Sequence, residues 1–503
     1  MAGSILNIRN SQAKPLSEIP SLPFEKFCDF VIAQIREGAR VVSFFGTPKT
    51  NATFMLTMVL AYDNDGQLGI VSTSVKDTYP SLTPQLPQVH WFEREIFEQW
   101  QVRPDGHPWL KPIRFHNPCT ENSLGNSSQD ILPSVTDFMK VHGQEPHEVA
   151  VGPVHAGIIE PGHFRFQCHG EHVFHLEISL GYQHRGIERA LAVDSGKRTI
   201  HYMETSAGDT TIGHSLAYCQ AMEGLSDCAV PLRASAIRGI MLELERLANH
   251  TGDLGALAND VGYLPTSSYC GRLRGDFLNM TALICGNRFG RNIVRPGGVM
   301  FDLDDSLITE LQNRLDKIFN DVKNAVSLLW SSSFVVDRFD ETGIVTKETA
   351  LDLGLVGPAA RACGIERDVR FDFPTGIYQF SHIPLSTYSS GDVFARAYVR
   401  WLEIQRSVEF IRGQLKNLPD GAVMAAMPPL KKQSMVVSLI EGWRGEICHA
   451  ITTDINGNIS QYKITDPSFH NWIGLAMALR GEDISDFPLC NKSFNLSYCG
   501  HDL

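Results

Sequence analysis

Nowhere in this 503-residue chain are two cysteines separated by two residues. The eleven cysteines are scattered, and the tightest spacings are Cys219/Cys228 and Cys490/Cys499. Metal sites built on thiolates use close ligand pairs, CxxC above all, so this absence argues against such a site. No apolar run approaches the eighteen or so residues that cross a bilayer. Cations are in deficit: 44 Lys and Arg stand against 56 Asp and Glu, a net charge of −12. That balance argues against a nucleic-acid or anionic-lipid surface. The opening "MAGSILNIRNSQAKPLSEIP" lacks the basic-then-apolar pattern of a secretory leader, so a cytoplasmic protein with buried thiols is expected. Dinucleotide and Walker fingerprints are missing too.

What is present is ordinary for a globular chain, 43% hydrophobic and 20% charged. Its length suits two to four domains. Residues 1–115 read as a small α/β module. "FEKFCDFVIAQIREG" is helix-periodic and stops at Gly38. "TFMLTMVLAY" and "QLGIVSTS" flank the turn "DNDG" as a hairpin. "HWFEREIFEQW" sets Trp91, Ile96 and Trp100 among charges, a helix with one buried stripe. Residues 116–150, rich in Asn, Ser and Pro, read as a linker.

From 151 to 503 the pattern opens with a hairpin, "HFRFQC" and "HVFHLEIS", and then turns helical. Ile237, Met241, Leu244 and Ala248 share one helix face. Leu311, Leu315, Ile318, Val322 and Leu329 mark a second long helix, and "DVFARAYVRWLEIQRSVEFIRGQL" a third. Long apolar stripes of this kind predict a bundle. "SMVVSLIE", "EICHAITT" and "ISQYKI" return to β, the last two joined across an Asn-Gly turn. The predicted fold is α+β: a small α/β module, a linker, and a helical bundle with small sheets at its flanks.

Several strings carry a resemblance. "YPSLTPQLPQVHWFEREIFEQW" and "GHPWLKP" resemble the smaller of two hydrophilic subunits beside the quinone chamber of respiratory complex I. "GPVHAGIIEPGHFRF", "LGYQHRGIERAL", "LELERLANHTGDLGA", "GNRFGRNIVRPGGV", "ARACGIERDVR" and "EGWRGEI" resemble the larger one. More closely still they resemble the large subunit of membrane-bound nickel–iron hydrogenases of the formate hydrogenlyase type, where both modules are fused. In that family two CxxC pairs hold nickel and iron, and soft thiolates suit those metals. Matching "GHSLAY" places the first pair at Ala207 and Thr210; matching "TDP" places the second at Ser468 and Asn471. All four cysteines are replaced. The resemblance therefore implies a relative without a nickel–iron centre. Its tail, "SDFPLCNKSFNLSYCGHDL", looks like part of the fold.

By the same resemblance, the chain is expected on the cytoplasmic face of the inner membrane, attached peripherally through partners. Those partners are an iron–sulfur small subunit, a ferredoxin-like subunit and antiporter-like membrane subunits. The function implied is electron transfer from the neighbouring cluster to a quinone-like acceptor, coupled to ion translocation. Oxidation of a nicotinamide or formate would fall to another subunit. Two other readings stay open, a non-catalytic scaffold and, with metal held without thiolates, an active hydrogenase.

Glu160 matches the loop beside the active site, where a desolvated carboxylate relays protons; otherwise it caps backbone amides. His155 and His163 flank it, structural or cavity-facing. His184 and Arg185 match the position facing the partner's cluster, the alternative being an Arg185–Glu188 pair one turn apart. Asp209, Thr210 and His214 replace the first cysteine segment, and either bond an acceptor carbonyl or cap the helix starting near Thr211. Ser468, His470 and Asn471 are a cavity wall or an internally satisfied turn, with Phe469 and Trp472 as a potential plug. Tyr202 and Tyr218 offer hydroxyls. Glu243, Arg246 and His250 form a polar stripe, solvated by pattern but internal by resemblance, with Arg361, Asp368 and Arg370 in the same network; the sequence gives no pairing.

Overall fold

The computed structural model describes residues 5–49, 53–119, 136–141, 143, 145–157, 159–193, 196 and 198–503. The architecture is α+β, with several small sheets around long helices. In the N-terminal module, strands Arg40–Pro48, Phe54–Tyr62 and Gln67–Val75 run antiparallel, the last two joined at Asp63–Gly66 where Gly66 adopts φ +61°. The helix Phe24–Arg36 ends where Gly38 takes φ +104°, a conformation glycine tolerates without a Cβ clash.

The helix His90–Trp100 departs from the single-stripe expectation. His90, Phe92, Glu93, Arg94, Glu95 and Glu98 are buried along with Trp91 and Ile96, while Trp100 is half-buried. Its charges are inside because each has a partner: Glu95 pairs with Lys463 at 2.6 Å and with Arg114. Glu98 accepts the Arg114 amide at 3.0 Å. Arg94 lies 4.4 Å above the Trp91 ring. A charge can sit in a core when it is paired and hydrogen-bonded.

The expected linker, 116–150, falls in part outside the described residues. Its last residues form a strand, His147–Val151, that pairs with His163–His169 and widens the hairpin to three strands. Val149 and Val151 tuck against the core, an alternation too short to stand out in the sequence.

The helix Leu232–Asp260 is buried along most of its 29 residues and packs between Leu264–Cys285 and Val393–Lys416. The helix Thr211–Ser226 is buried on nearly every side, polar residues such as His214 and Glu223 included. Behind it stands an antiparallel meander, Ser434–Gly442, Gly445–Thr453 and Ile459–Thr465, with Lys14–Pro15 on its edge. One apolar core runs through both units, taking in Phe44 and Trp91 as well as Leu216 and Phe469. Among the described residues, no helix is long and apolar enough to cross a membrane.

Candidate functional site

The two segments that the sequence resemblance matches to cysteine pairs meet at the C-terminal tail. Asp209 and Thr210 precede the helix Thr211–Ser226. The Arg444 guanidinium grips both oxygens of the Asp209 carboxylate, one at 2.8 Å, and stacks 3.9 Å above the Trp443 ring. The Trp443 indole and the Asn249 amide both donate to the Asp209 carbonyl, at 3.1 and 2.9 Å. Burial would raise the Asp209 carboxyl, but Arg444 outweighs it and holds it below its ordinary value. Thr210 donates to Asp209, and Ala207 offers only a buried methyl group.

Glu245, absent from the sequence expectations, takes the amide protons of Ile212 and Gly213 at 2.7 and 3.2 Å. A carboxylate at a helix N-terminus meets unpaired amides and a favourable dipole. Burial nonetheless pushes its pKa up to about 8, because the two amides repay only part of the lost hydration.

The second segment is helical rather than a turn. Asp466 caps the helix Pro467–Ala478 by accepting the Ser468 amide at 2.8 Å, with proline at the first helical position. Ser468 Oγ accepts the Ser497 amide at 2.8 Å. Asn471 bonds Val356 twice, through its amide nitrogen and its carbonyl oxygen, at 3.1 and 3.0 Å. His470 turns the other way, toward the N-terminal module, with its ring 5.6 Å from Phe92; burial lowers its pKa to about 4. Phe469 packs on Phe92 and His501, and Trp472 on Tyr498.

The tail binds both segments. Besides the Ser497–Ser468 bond, the Cys499 thiol takes the Gly208 amide, and the Cys499 amide donates to Glu160 at 3.1 Å. Asp502 accepts the amides of Gly181 and Gln183 at 2.8 and 2.9 Å. A thiolate-held nickel–iron centre does not fit this donor set. The four positions supply a methyl, two hydroxyls and an amide, and the three polar ones are committed to neighbours.

Of the remaining predicted residues, Glu160 and Arg185 both meet the tail at Cys499. Glu160 is exposed; burial of part of its side chain raises its carboxyl, and the Cys499 amide offsets some of that rise. His155 bonds the Gly162 carbonyl at 2.8 Å and His163 lies 5.1 Å from the Phe138 ring. His184 stacks on His116 with centroids 4.9 Å apart and bonds the Asp502 carbonyl. Arg185 donates to the carbonyls of Thr205, Ser206 and Cys499, whereas Glu188 pairs with Lys463 at 3.0 Å. Both His184 and Arg185 border a cavity of about 730 Å³ between the two units, with Trp100, Arg114, Tyr462 and Lys463 on its other walls. Tyr218 is buried and Tyr202 exposed. His214 is buried against Asp466, 3.0 Å away.

Glu243, Arg246 and His250 lie wholly inside, as the resemblance rather than the polar pattern implies. Arg246 bonds Glu243 at 3.0 Å and approaches Glu403 to 3.4 Å; His250 meets Glu403 at 2.7 Å. Arg370 joins Glu243 to Asp368, at 3.2 and 2.6 Å. Arg361 touches Glu403, Glu441 and Asp368. The glutamates from distant segments, Glu403 and Glu441, were invisible as partners in the sequence. Arg444 and Asp466 were within reach, since "GWRGEI" and "TDP" were already conspicuous.

Comparison with known proteins gives the class, a hydrophilic component of an oxidoreductase complex. Residues 22–123 match the family of the respiratory-chain NADH dehydrogenase 30 kDa subunit, and residues 260–436 that of its 49 kDa subunit. The carbon monoxide-induced hydrogenase of Rhodospirillum rubrum is 30% identical over 69% of this chain and 97% of its own length. Formate hydrogenlyase subunit 5 of Escherichia coli is 29% identical over 84% and 76%. A subunit of the NADH-quinone oxidoreductase of Clostridium beijerinckii is 32% identical over 64% and 87%. The chain belongs to the family shared by these hydrogenase subunits and the complex I 49 kDa subunit, with the 30 kDa module fused at its N-terminal side.

Proposed function

We propose that this chain is a hydrophilic-arm subunit that passes electrons from a partner's iron–sulfur cluster to a quinone-like acceptor, coupled to ion translocation, without a nickel–iron site. The carrying observation is the donor set at 207, 210, 468 and 471, which has lost every thiolate while the fold around it persists. His184 and Arg185, beside the 730 Å³ cavity, present the face toward the cluster-bearing subunit. A fixed cation near a cluster favours its reduced state. Glu160, with Asp209 behind it, supplies the proton-carrying carboxylate, and His155, His163, Thr210 and His214 belong to the surrounding wall in this reading. A ferredoxin-like subunit and antiporter-like membrane subunits complete the complex, on the cytoplasmic side of the inner membrane.

A second reading, a coupling subunit without chemistry, is favoured by one observation: Ser468 and Asn471 already spend their hydrogen bonds internally. Purification from the native membrane tests the first step. An iron–sulfur subunit and membrane subunits are expected to co-purify, with no stoichiometric nickel; recovery of a lone monomer defeats both readings. In the intact complex, Glu160→Gln is expected to lower quinone-analogue reduction about a hundredfold, the range for a lost acid–base group. Unchanged turnover in a fully assembled variant selects the coupling role.

A further inference from the structure

Behind the tail segment lies a chain of four polar side chains, of which the proposed electron path uses only His214, as part of its wall. His214 Nε2 is 3.0 Å from Asp466 Oδ2, and His214 Nδ1 is 3.1 Å from His449 Nε2. His449 Nδ1 is 2.7 Å from the Tyr462 hydroxyl, which also reaches Met203 Sδ at 3.7 Å. All four are buried, with His214 and His449 fully enclosed. Tyr462 is the member that borders the 730 Å³ cavity. His449 and Tyr462 lie on adjacent strands as diagonal neighbours, since His449 opposes Ile464 and Ile451 opposes Tyr462.

The number of protons the chain holds fixes the direction of every bond. Asp466 is ionised, because the bond from His214 outweighs the effect of burial and holds its carboxyl below the ordinary range. A carboxylate only accepts, so His214 Nε2 carries hydrogen. With His214 neutral, its Nδ1 must accept from His449 Nε2–H, and His449 Nδ1 must accept from the Tyr462 hydroxyl. With one more proton, the Asp466 link keeps its direction and the other two reverse: His214 Nδ1–H donates to His449 Nε2, His449 Nδ1–H donates to the Tyr462 oxygen, and the hydroxyl turns to Met203 Sδ. Each arrangement leaves every nitrogen and oxygen of the chain paired.

We propose that Tyr462, His449 and His214 form a one-proton relay that carries a proton from the cavity wall to a store beside Asp466. In the loading step Tyr462 releases its phenolic proton to His449 Nδ1 and takes one from hydronium on the cavity side. His449 passes its Nε2 proton to His214 Nδ1. An imidazolium results at His214, facing the Asp466 carboxylate, and His449 changes tautomer without changing charge. Burial, which holds His449 well below its ordinary pKa, suits that neutral role. Arg444, Asp209 and His470 face Asp466 and Glu188 faces Tyr462, while burial keeps Tyr218, Cys219 and Cys448 protonated. The relay stands on these bonds and does not depend on which acceptor the complex reduces.

Ring-¹⁵N histidine NMR of the full chain tests it, with the His449 signals assigned by their loss in His449→Gln. On acidification His449 is expected to switch from the Nε2–H to the Nδ1–H tautomer, as the reversed bonds require. Tyr462→Phe is expected to slow solvent exchange of the His449 ring proton at least tenfold, because the hydroxyl is the way out. A purely structural role predicts the reverse, faster exchange from a loosened core. If Tyr462→Phe does not fold, Met203→Leu reads the same step, with exchange about threefold slower through loss of a weak acceptor. The relay is overturned by a His449 tautomer that never changes, or by exchange that is unchanged or faster in the variant that folds.

Discussion

Arg361→Met is expected to destabilise the protein by about 3–5 kcal/mol, the cost of leaving buried carboxylates without their cation. Arg361 is fully buried, and its guanidinium bonds Glu403, Glu441 and the Arg367 carbonyl, the last two at 2.8 Å. Methionine conserves most of the volume, so cavity formation contributes little. What remains is electrostatic: Glu403, Glu441 and Asp368 crowd together with only Arg246 and Arg370 of the network's guanidiniums nearby. Glu441 is already strained in this respect, its carboxyl raised by burial and by Asp368 against the pull of Arg361. The loss should therefore shrink at pH 5, where Glu441 is protonated, and grow at pH 8. Urea unfolding at both pH values measures it. A change under about 1 kcal/mol at pH 8, the scale of an exposed ion pair, would show that Arg361 is not the hub of this network. Arg361→Met combined with Glu403→Met should cost less than the two single changes added together, since each then removes the other's orphan.

The second large effect is a change in pH dependence. Glu245 has a folded pKa of about 8 against the ordinary 4.5. Between those values the unfolded chain has released this proton and the folded chain still holds it. Stability therefore falls as pH rises through this window, by on the order of 4 kcal/mol from this group alone. Glu245→Gln keeps an oxygen for the Ile212 and Gly213 amides and does not titrate. Its unfolding free energy should be flatter between pH 5 and 8 than that of the unaltered protein by most of that amount. Equal slopes would mean that the carboxylate stays ionised at the helix terminus. The carboxyls held down by neighbouring cations, such as Asp209 and Glu403, act with opposite sign and in a lower range, losing their contribution as pH falls below about 5.

Much of the architecture was legible because it is local. The stop at Gly38, the Asp63–Gly66 turn and the stripe Leu311–Leu329 depend on residues close in sequence, and the structure places elements there. The helix at His90–Trp100 was legible as an element but not in its surroundings. A helix whose charges are paired inward reads, in one dimension, like a helix with a solvated face. "DPSFHNW" left two readings open, a cavity wall or an internally satisfied turn. Asp466 and Pro467 are the cap and first residue of a helix in which Ser468 bonds the tail and Asn471 bonds Val356, so the polar groups are satisfied internally but on a helix.

The sequence by itself determined the family, and it put methyl, hydroxyl and amide groups rather than thiolates at 207, 210, 468 and 471, because side-chain chemistry is decided residue by residue. It also determined the long helices, whose periodicity is written at three- and four-residue intervals. Only the tertiary structure decided which charge meets which. Arg361 finds Glu403 across 42 residues, and His214 finds Asp466 across 252. Coulombic and hydrogen-bond energies depend on distance in space, and no spacing along the chain encodes a contact between segments so far apart.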